Sequence, residues 1–339
     1  MFSRLYKNST CKIGTLRYFR EKLQHRNVTK DVKHFEDCEQ LFLMTGLCYT
    51  MEALTQFFNM QSKDTHPTQN IPPFCNIHGN QKKYFDEVLE KFVDTFLLPQ
   101  GQNTPTDDEQ KDCVKNHSLS LLRYFFIFAD FKDAVREGNG EQILILHKQL
   151  LHHFMSIPGF NAYAIEMLIS IIQSKIFLSQ AESHQITWAA TVNWKGGSAK
   201  NIEIDLLQEN RNKDLKNLIK GMGANKTSNA IERASRAAGG VRHIVENFDN
   251  NVSLNIQSSA HTHRSSEADE AKILADLRQL KPFKSSPGRK HDSFPDIHAN
   301  NLNSLKQDDF NEWLSQHKKK LLVDAPLYLD DDVQISISN

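Results

Sequence analysis

Long apolar runs are missing from this sequence. The longest, Ala162–Leu178, is interrupted by Glu166, Gln173 and Lys175. It falls short of the roughly 20 continuous apolar residues that a membrane span needs, and reads as a buried or amphipathic helix. A signal peptide is missing too, because the opening MFSRLYKNST has no apolar core. Net charge is absent: 41 Lys and Arg balance 41 Asp and Glu, so overall charge selects no partner. Cysteine is sparse. Cys11, Cys38, Cys48, Cys75 and Cys113 are odd in number and scattered, which excludes a fully paired disulfide framework and suits free thiols in a reducing compartment. Cys75 and His78 have the spacing of half a zinc site, but no second Cys/His pair with ligand spacing follows, so the segment reads as a loop. The other histidines, including His152-His153, His261 and His263, lack an obvious third ligand. No internal repeat is visible. These absences predict an intracellular, soluble protein with no membrane partner.

What is present, almost throughout, is helical spacing. At 339 residues, with 39% apolar and 24% charged residues, the chain has material for two modest domains or for one domain with tails. Apolar residues recur at the period of a helix over Thr10–Gln24, Asp31–Met60, Lys82–Leu98, Ser118–Glu137, Glu141–Ser156 and Asn161–Gln180. Proline and polar residues mark loops over Gln61–Gln81 and Pro99–Lys111. The run Tyr124-Phe-Phe-Ile-Phe128 is aromatic enough to stack bases, but its helical spacing assigns it to a core. Beyond Phe248, Asp249–Glu267 is rich in Asn, Ser and His without apolar period and reads as a linker. Two more helices follow, over Ala268–Leu280 and Asp308–Leu322. The predicted division is a helical domain over 1–250, a linker over 251–267, a helical extension over 268–323 and a disordered tail over 324–339. The predicted class is mainly α, with short strands around Ile186–Val192 and Asn201–Ile204.

The stretch from Ser183 to Phe248 gathers turn glycines, paired carboxylates and basic residues more densely than any other. Trp188 and Trp194 bracket the start, and Gly196-Gly197 break any regular element there. At about 100° per residue, Ile204, Leu207, Leu215, Leu218, Ile219 and Met222 share one helix face, with Gly221 and Gly223 ending the helix. Arg211 falls inside that apolar stripe and is expected to snorkel. A second helix opens at Thr227 or Ser228 and carries Ala230, Ala234, Ala237 and Val241 on one stripe. Gly239-Gly240 are expected to break or bend it before Val241–Phe248.

Asp205 and Glu209 lie four residues apart on the flank of the first helix, with Asn212, Lys213, Lys216 and Lys220. Two carboxylates at that spacing can hold one cation or act as an acid and a base. They also suit a helix start and an i,i+4 pair between Glu209 and Lys213, and spacing favours that structural reading. Asn210–His243 carries eight Lys and Arg against Asp214 and Glu232. That local excess suits phosphate as well as solvent, and Lys213, Lys216, Lys220, Lys226, Arg233 and Arg236 are the candidate nucleic-acid contacts.

The block TVNWKGGSAKNIEIDLLQENRNKDLKNLIKGMGANKT, residues 191–227, resembles the signature of a eukaryotic family known as domain of unknown function 6589. Leu16-Arg-Tyr, Arg26-Asn-Val-Thr29 with Asp31–Met60, Leu122-Arg-Tyr-Phe, Asp130-Phe-Lys-Asp-Ala-Val-Arg136-Glu-Gly138, His291-Asp-Ser-Phe294 and the Trp313 helix resemble further family blocks in the same order. The resemblance implies a mobile-element relative, and by analogy an RNase H-like core with a large helical insertion. In such a core Glu209 would be the final acid and Asp205 its neighbour, holding Mg²⁺ or Mn²⁺ for phosphodiester chemistry. Two departures count against activity. Asn210 and Arg211 replace the His and Leu of the family pattern, and no Gly-Asp-Gln block precedes Leu16, so the first acid of a catalytic set is expected to be absent. The resulting expectation is a truncated, non-catalytic module for nucleic-acid or protein interaction. A metal-dependent nuclease or strand-transfer enzyme is the first alternative, and a structural helical scaffold the second.

Overall fold

The computed structural model describes residues 2–6, 12–71, 78–98, 111–157, 159–194, 196–224, 226–252, 266–294, 297, 302 and 305–324. Helices dominate: α1 (Phe2–Leu5), α2 (Leu16–Lys22), α3 (Phe35–Phe57), α4 (His78–Phe96), α5 (Cys113–Glu137), α6 (Gly140–Met155), α7 (Asn161–Ile172), α8 (Gln180–Trp188), α9 (Ile204–Gly221), α10 (Ser228–Val252), α11 (Glu267–Leu280) and α12 (Gln307–Asp324). The strands β1 (Thr191–Val192) and β2 (Ile202–Glu203) make one small antiparallel pair, with Thr191 opposite Glu203 and Val192 opposite Ile202. The protein is mainly α.

The principal core forms around α3, which buries Leu41, Cys48, Tyr49 and Ala53 completely. It packs against α2, α5 and α11. Gly46 permits the closest part of the α3–α5 contact, because a Cβ there would lie 2.1 Å from the Phe125 ring. Tyr49 donates its hydroxyl to the Gly14 carbonyl at 2.7 Å, and burial raises its pKa. Phe57, Phe92, Phe96 and Phe283 meet edge to face or tilted, with Phe96 and Phe283 centroids 5.2 Å apart. The aromatic run of α5 belongs here: Tyr124 is buried, and Phe125, Phe126 and Phe128 pack against the core. Cys38, Cys48 and Cys113 are buried thiols in no disulfide, that of Cys48 pushed up to about 12 by burial. Cys11, Cys75, His261 and His263 lie outside the described residues.

A smaller core joins α6, α7 and α12 through Leu151, Ala164, Leu168, Ile172 and Phe310. The single helix expected over Asn161–Gln180 is not continuous. α7 passes into a π-helical turn, Gln173–Phe177, and α8 begins afresh at Gln180. The restart has a local cause. Ser179 and Glu182 form a reciprocal capping box, which satisfies two otherwise orphaned N–H groups. Residues 186–188, expected near a strand, are consequently helical. A second correction concerns α10, which runs unbroken through Gly239-Gly240 to Val252. Two helical glycines cost about 2 kcal/mol against alanine, and the alanines beside them keep the surrounding propensity high.

The segment after α11 is fastened to the start of α5 by an ion pair between the buried Asp112 and the half-buried Arg289. Asp112 caps α5 by accepting from the Lys115 N–H at 2.9 Å. Its two oxygens also accept from Nε and Nη2 of Arg289, each at 2.9 Å, and from the Ser286 N–H. Arg289 donates further to the carbonyls of Leu280 and Lys284, both at 3.1 Å. Removing one partner from such a pair strands the other, at about 3–5 kcal/mol. Asp112→Ala and Arg289→Met are each expected to lower the thermal midpoint by several degrees. A change within about 1 °C in both would contradict the assignment.

Candidate nucleic-acid interface

The stretch singled out by sequence forms an arm built outward from α5. Gly138 closes α5 in the left-handed conformation, with φ of +71°, and Asn139 caps α6 by accepting from the Gln142 N–H. Gly140 then lets α8 come close, since a Cβ there would lie 2.2 Å from the Thr187 carbonyl oxygen. Asn201 ties the strand pair to the same corner, its backbone and side-chain N–H groups donating to the Arg136 carbonyl at 3.1 and 2.8 Å. Between the strands, Asn193 donates to the Gly197 carbonyl at 2.6 Å, and Gly196 and Gly197 adopt φ of +73° and +93°. The chain leaves β2 directly into α9, and the Ile204 N–H donates to the Ala190 carbonyl at 3.1 Å.

α9 and α10 form a helical hairpin joined through residues 222–227. Leu207 is the buried residue of α9, and Leu215, Leu218, Ile219 and Met222 are half-buried. On α10 the half-buried residues are Ala230, Ile231, Ala234 and Ala238. These are the facing stripes of the two helices, and they fix where the charges go.

Asp205, Glu209, Lys213, Lys216 and Lys220 lie on the side of α9 opposite its apolar stripe, and all are exposed. Arg233 and Arg236 lie on the side of α10 opposite its own stripe, also exposed. The six predicted basic contacts are therefore not one surface. Lys213, Lys216 and Lys220 line the outer face of α9, Lys226 is exposed in the turn, and the two arginines look the other way. Arg236 is paired with Glu232 at 2.5 Å. Among the described residues none of the three α9 lysines is in an ion pair, and the Glu209–Lys213 pair that spacing allows is not formed. Arg211 is exposed.

Asp205 and Glu209 share a face one turn apart and can approach one cation together. Among the described residues no group of three or more His, Cys, Asp or Glu side chains is placed to hold a metal ion.

A second polar cluster, which sequence reading did not find, lies inside the molecule. His117 is fully buried, its ring 4.5 Å from Phe294 and 5.3 Å from His291. Burial pushes His117 down to about 3 and lowers His291, with the neighbouring imidazole adding to the effect on His117. Among the described residues the Nε2 atom of His117 has no hydrogen-bond partner. The spacing of Cys113 and His117 on one helix was visible, but their neighbour His291 lies 174 residues away and no periodicity connects them.

The model of a family of unknown function, DUF6589, matches residues 1–261. The chain belongs to that family. No curated protein and no solved structure matches it. The DUF6589 match takes in α1–α10, and thus the whole arm, while α11 and α12 follow it. No helix among the described residues of this DUF6589 member is long and apolar enough to cross a membrane.

Proposed function

We propose that this chain is a non-catalytic, mobile-element-derived interaction module that binds nucleic acid through the outer face of α9. The observation carrying the binding reading is the row Lys213, Lys216 and Lys220. These are exposed ammonium groups without acidic partners among the described residues, on a helix whose other side is occupied by α10. They rise by about 4.5 and 6 Å along the helix, a spacing that lets successive side chains reach neighbouring phosphates. The contacts would be to the backbone, and so tolerant of sequence. The mobile-element part of the proposal rests on the family resemblance.

The binding test uses a fluorescent oligonucleotide, single- or double-stranded, and the full chain. Lys213→Glu, Lys216→Glu and Lys220→Glu together are expected to weaken binding at least tenfold, whereas Arg233→Glu with Arg236→Glu changes it less than about threefold. Equal losses in the two sets, or no loss in the first, would contradict the α9 face.

Catalysis would require Asp205 and Glu209 to be joined by further acids from other elements, as two-metal phosphodiester chemistry gathers them. The two lie instead at the base of the lysine row, where they set a negative border to it. Mg²⁺- or Mn²⁺-dependent cleavage abolished by Glu209→Gln would restore the nuclease reading.

A further inference from the structure

The two helices of the arm differ in length. At about 1.5 Å per residue, the 18 residues of α9 span about 27 Å and the 25 residues of α10 about 37 Å. α10 thus outruns the helix it packs on by about 10 Å, some seven residues, and α9 covers its stripe over less than its own length, since exposure begins at Val241. Its apolar residues nevertheless keep one register from end to end: Ile231, Ala234, Ala238, Val241, Val245, Phe248 and Val252 alternate in steps of three and four. That is the a/d pattern of a two-helix seam. The first three positions are half-buried on the α9 side, and from Val241 onward the same stripe is bare. Val241 is 43% exposed, Val245 51%, Phe248 59% and Val252 50%, with Ile244 beside them at 68%.

We propose that the bare half of α10, residues 241–252, pairs antiparallel with the same residues of a second copy of this chain. The register is self-complementary. Antiparallel seams set a against d, and a two-fold axis between Val245 and Phe248 places each Val245 against the other copy's Phe248 and each Val241 against its Val252. The second copy takes up the seam where α9 leaves it, so the two antiparallel pairings follow each other end to end along α10. The area suits this occupant. Five side chains from each of two copies would bury on the order of 1,000 Å², the lower edge of specific interfaces, so the dimer is reversible and concentration-dependent. Two copies would also present two lysine rows on one assembly, which raises effective concentration on a long nucleic acid.

Sedimentation equilibrium on the full chain, without nucleic acid, tests the pairing. A monomer–dimer equilibrium with Kd of about 1–100 μM is expected. Phe248→Lys and Val245→Lys, both at exposed positions, are each expected to weaken it at least tenfold while leaving the far-ultraviolet circular dichroism unchanged. Lys213→Glu with Lys216→Glu and Lys220→Glu should leave it intact, so this proposal and the nucleic-acid reading fail separately. A photo-crosslinker at position 252 should label the peptide containing Val241 of an isotope-marked second copy. A chain that stays monomeric at about 0.1 mM, a dimer indifferent to both lysine substitutions, or a crosslink from 252 to 252 would overturn the pairing.

Discussion

Acidification is expected to destabilise this protein from about pH 6.5 downward, above the range in which most carboxylates titrate. Four histidines are responsible. Burial pushes His117 down to about 3 and His153 down to about 4, the latter helped by Arg123 and His152, and it lowers His147 and His291. Each is neutral in the folded chain and takes up a proton near pH 6.5 once unfolded, so below that pH the unfolded state binds more protons and is favoured. The stability these groups contribute is complete above pH 6.5 and is lost as pH falls toward their folded values. At pH 5 His117 and His153 each account for about 2 kcal/mol. Glu52 acts in the opposite sense, since burial raises its pKa and acid favours its folded form. One such group does not offset four. Thermal melts are expected to fall by roughly 10 °C between pH 7.5 and pH 5, and His117→Phe, which keeps a ring against Phe294, should reduce that fall. An unchanged midpoint across the interval would show that these rings are hydrated.

The second large effect concerns the segment beyond the family match. A chain ending at residue 261 is expected not to fold. Ile273 and Leu277 of α11 are fully buried in the main core, Leu274 and Phe283 nearly so. Four such side chains supply about 6–12 kcal/mol, comparable with the whole stability of an ordinary domain. The same deletion strips Arg289 from Asp112 and His291 from His117, leaving a carboxylate and an imidazole at the start of α5 without their neighbours. Rapid proteolysis and poor dispersion in proton–nitrogen spectra are the expected signs. A cooperative melt within about 5 °C of the full chain would show that α11 is dispensable.

Much of the architecture was legible because apolar spacing at the helical period is a local signal. α3, α5, α6 and α11 lie where their periodicity puts them, and the main-α class follows. What escaped was either a capping detail or a long-range pairing. Ser179 and Glu182 restart a helix inside an apolar stretch that reads as continuous. Gly239-Gly240 looks like a break, yet α10 runs through it, because the alanines beside it keep the surrounding helix propensity high. Asp112 and Arg289 meet across 177 residues, with no pattern to announce it. At the candidate site the residue types were legible and so was most of the α9 face, but Ile204, expected on that face, is exposed, and the half-buried stripe of α10 runs through Ala238, leaving Ala237 and Val241 exposed. The division of the basic residues between two sides of the arm was not legible, because it depends on which stripe of α9 receives α10.

The account stands on the lysine row of α9 as a phosphate-binding face, and its most direct test is the salt dependence of oligonucleotide binding by the full chain. Three lysine–phosphate contacts predict that log K falls against log salt with a slope of about −2 to −3, and that the Lys213, Lys216 and Lys220 charge reversals flatten it. Binding that is absent at low salt, or present with a slope near zero, would contradict the assignment.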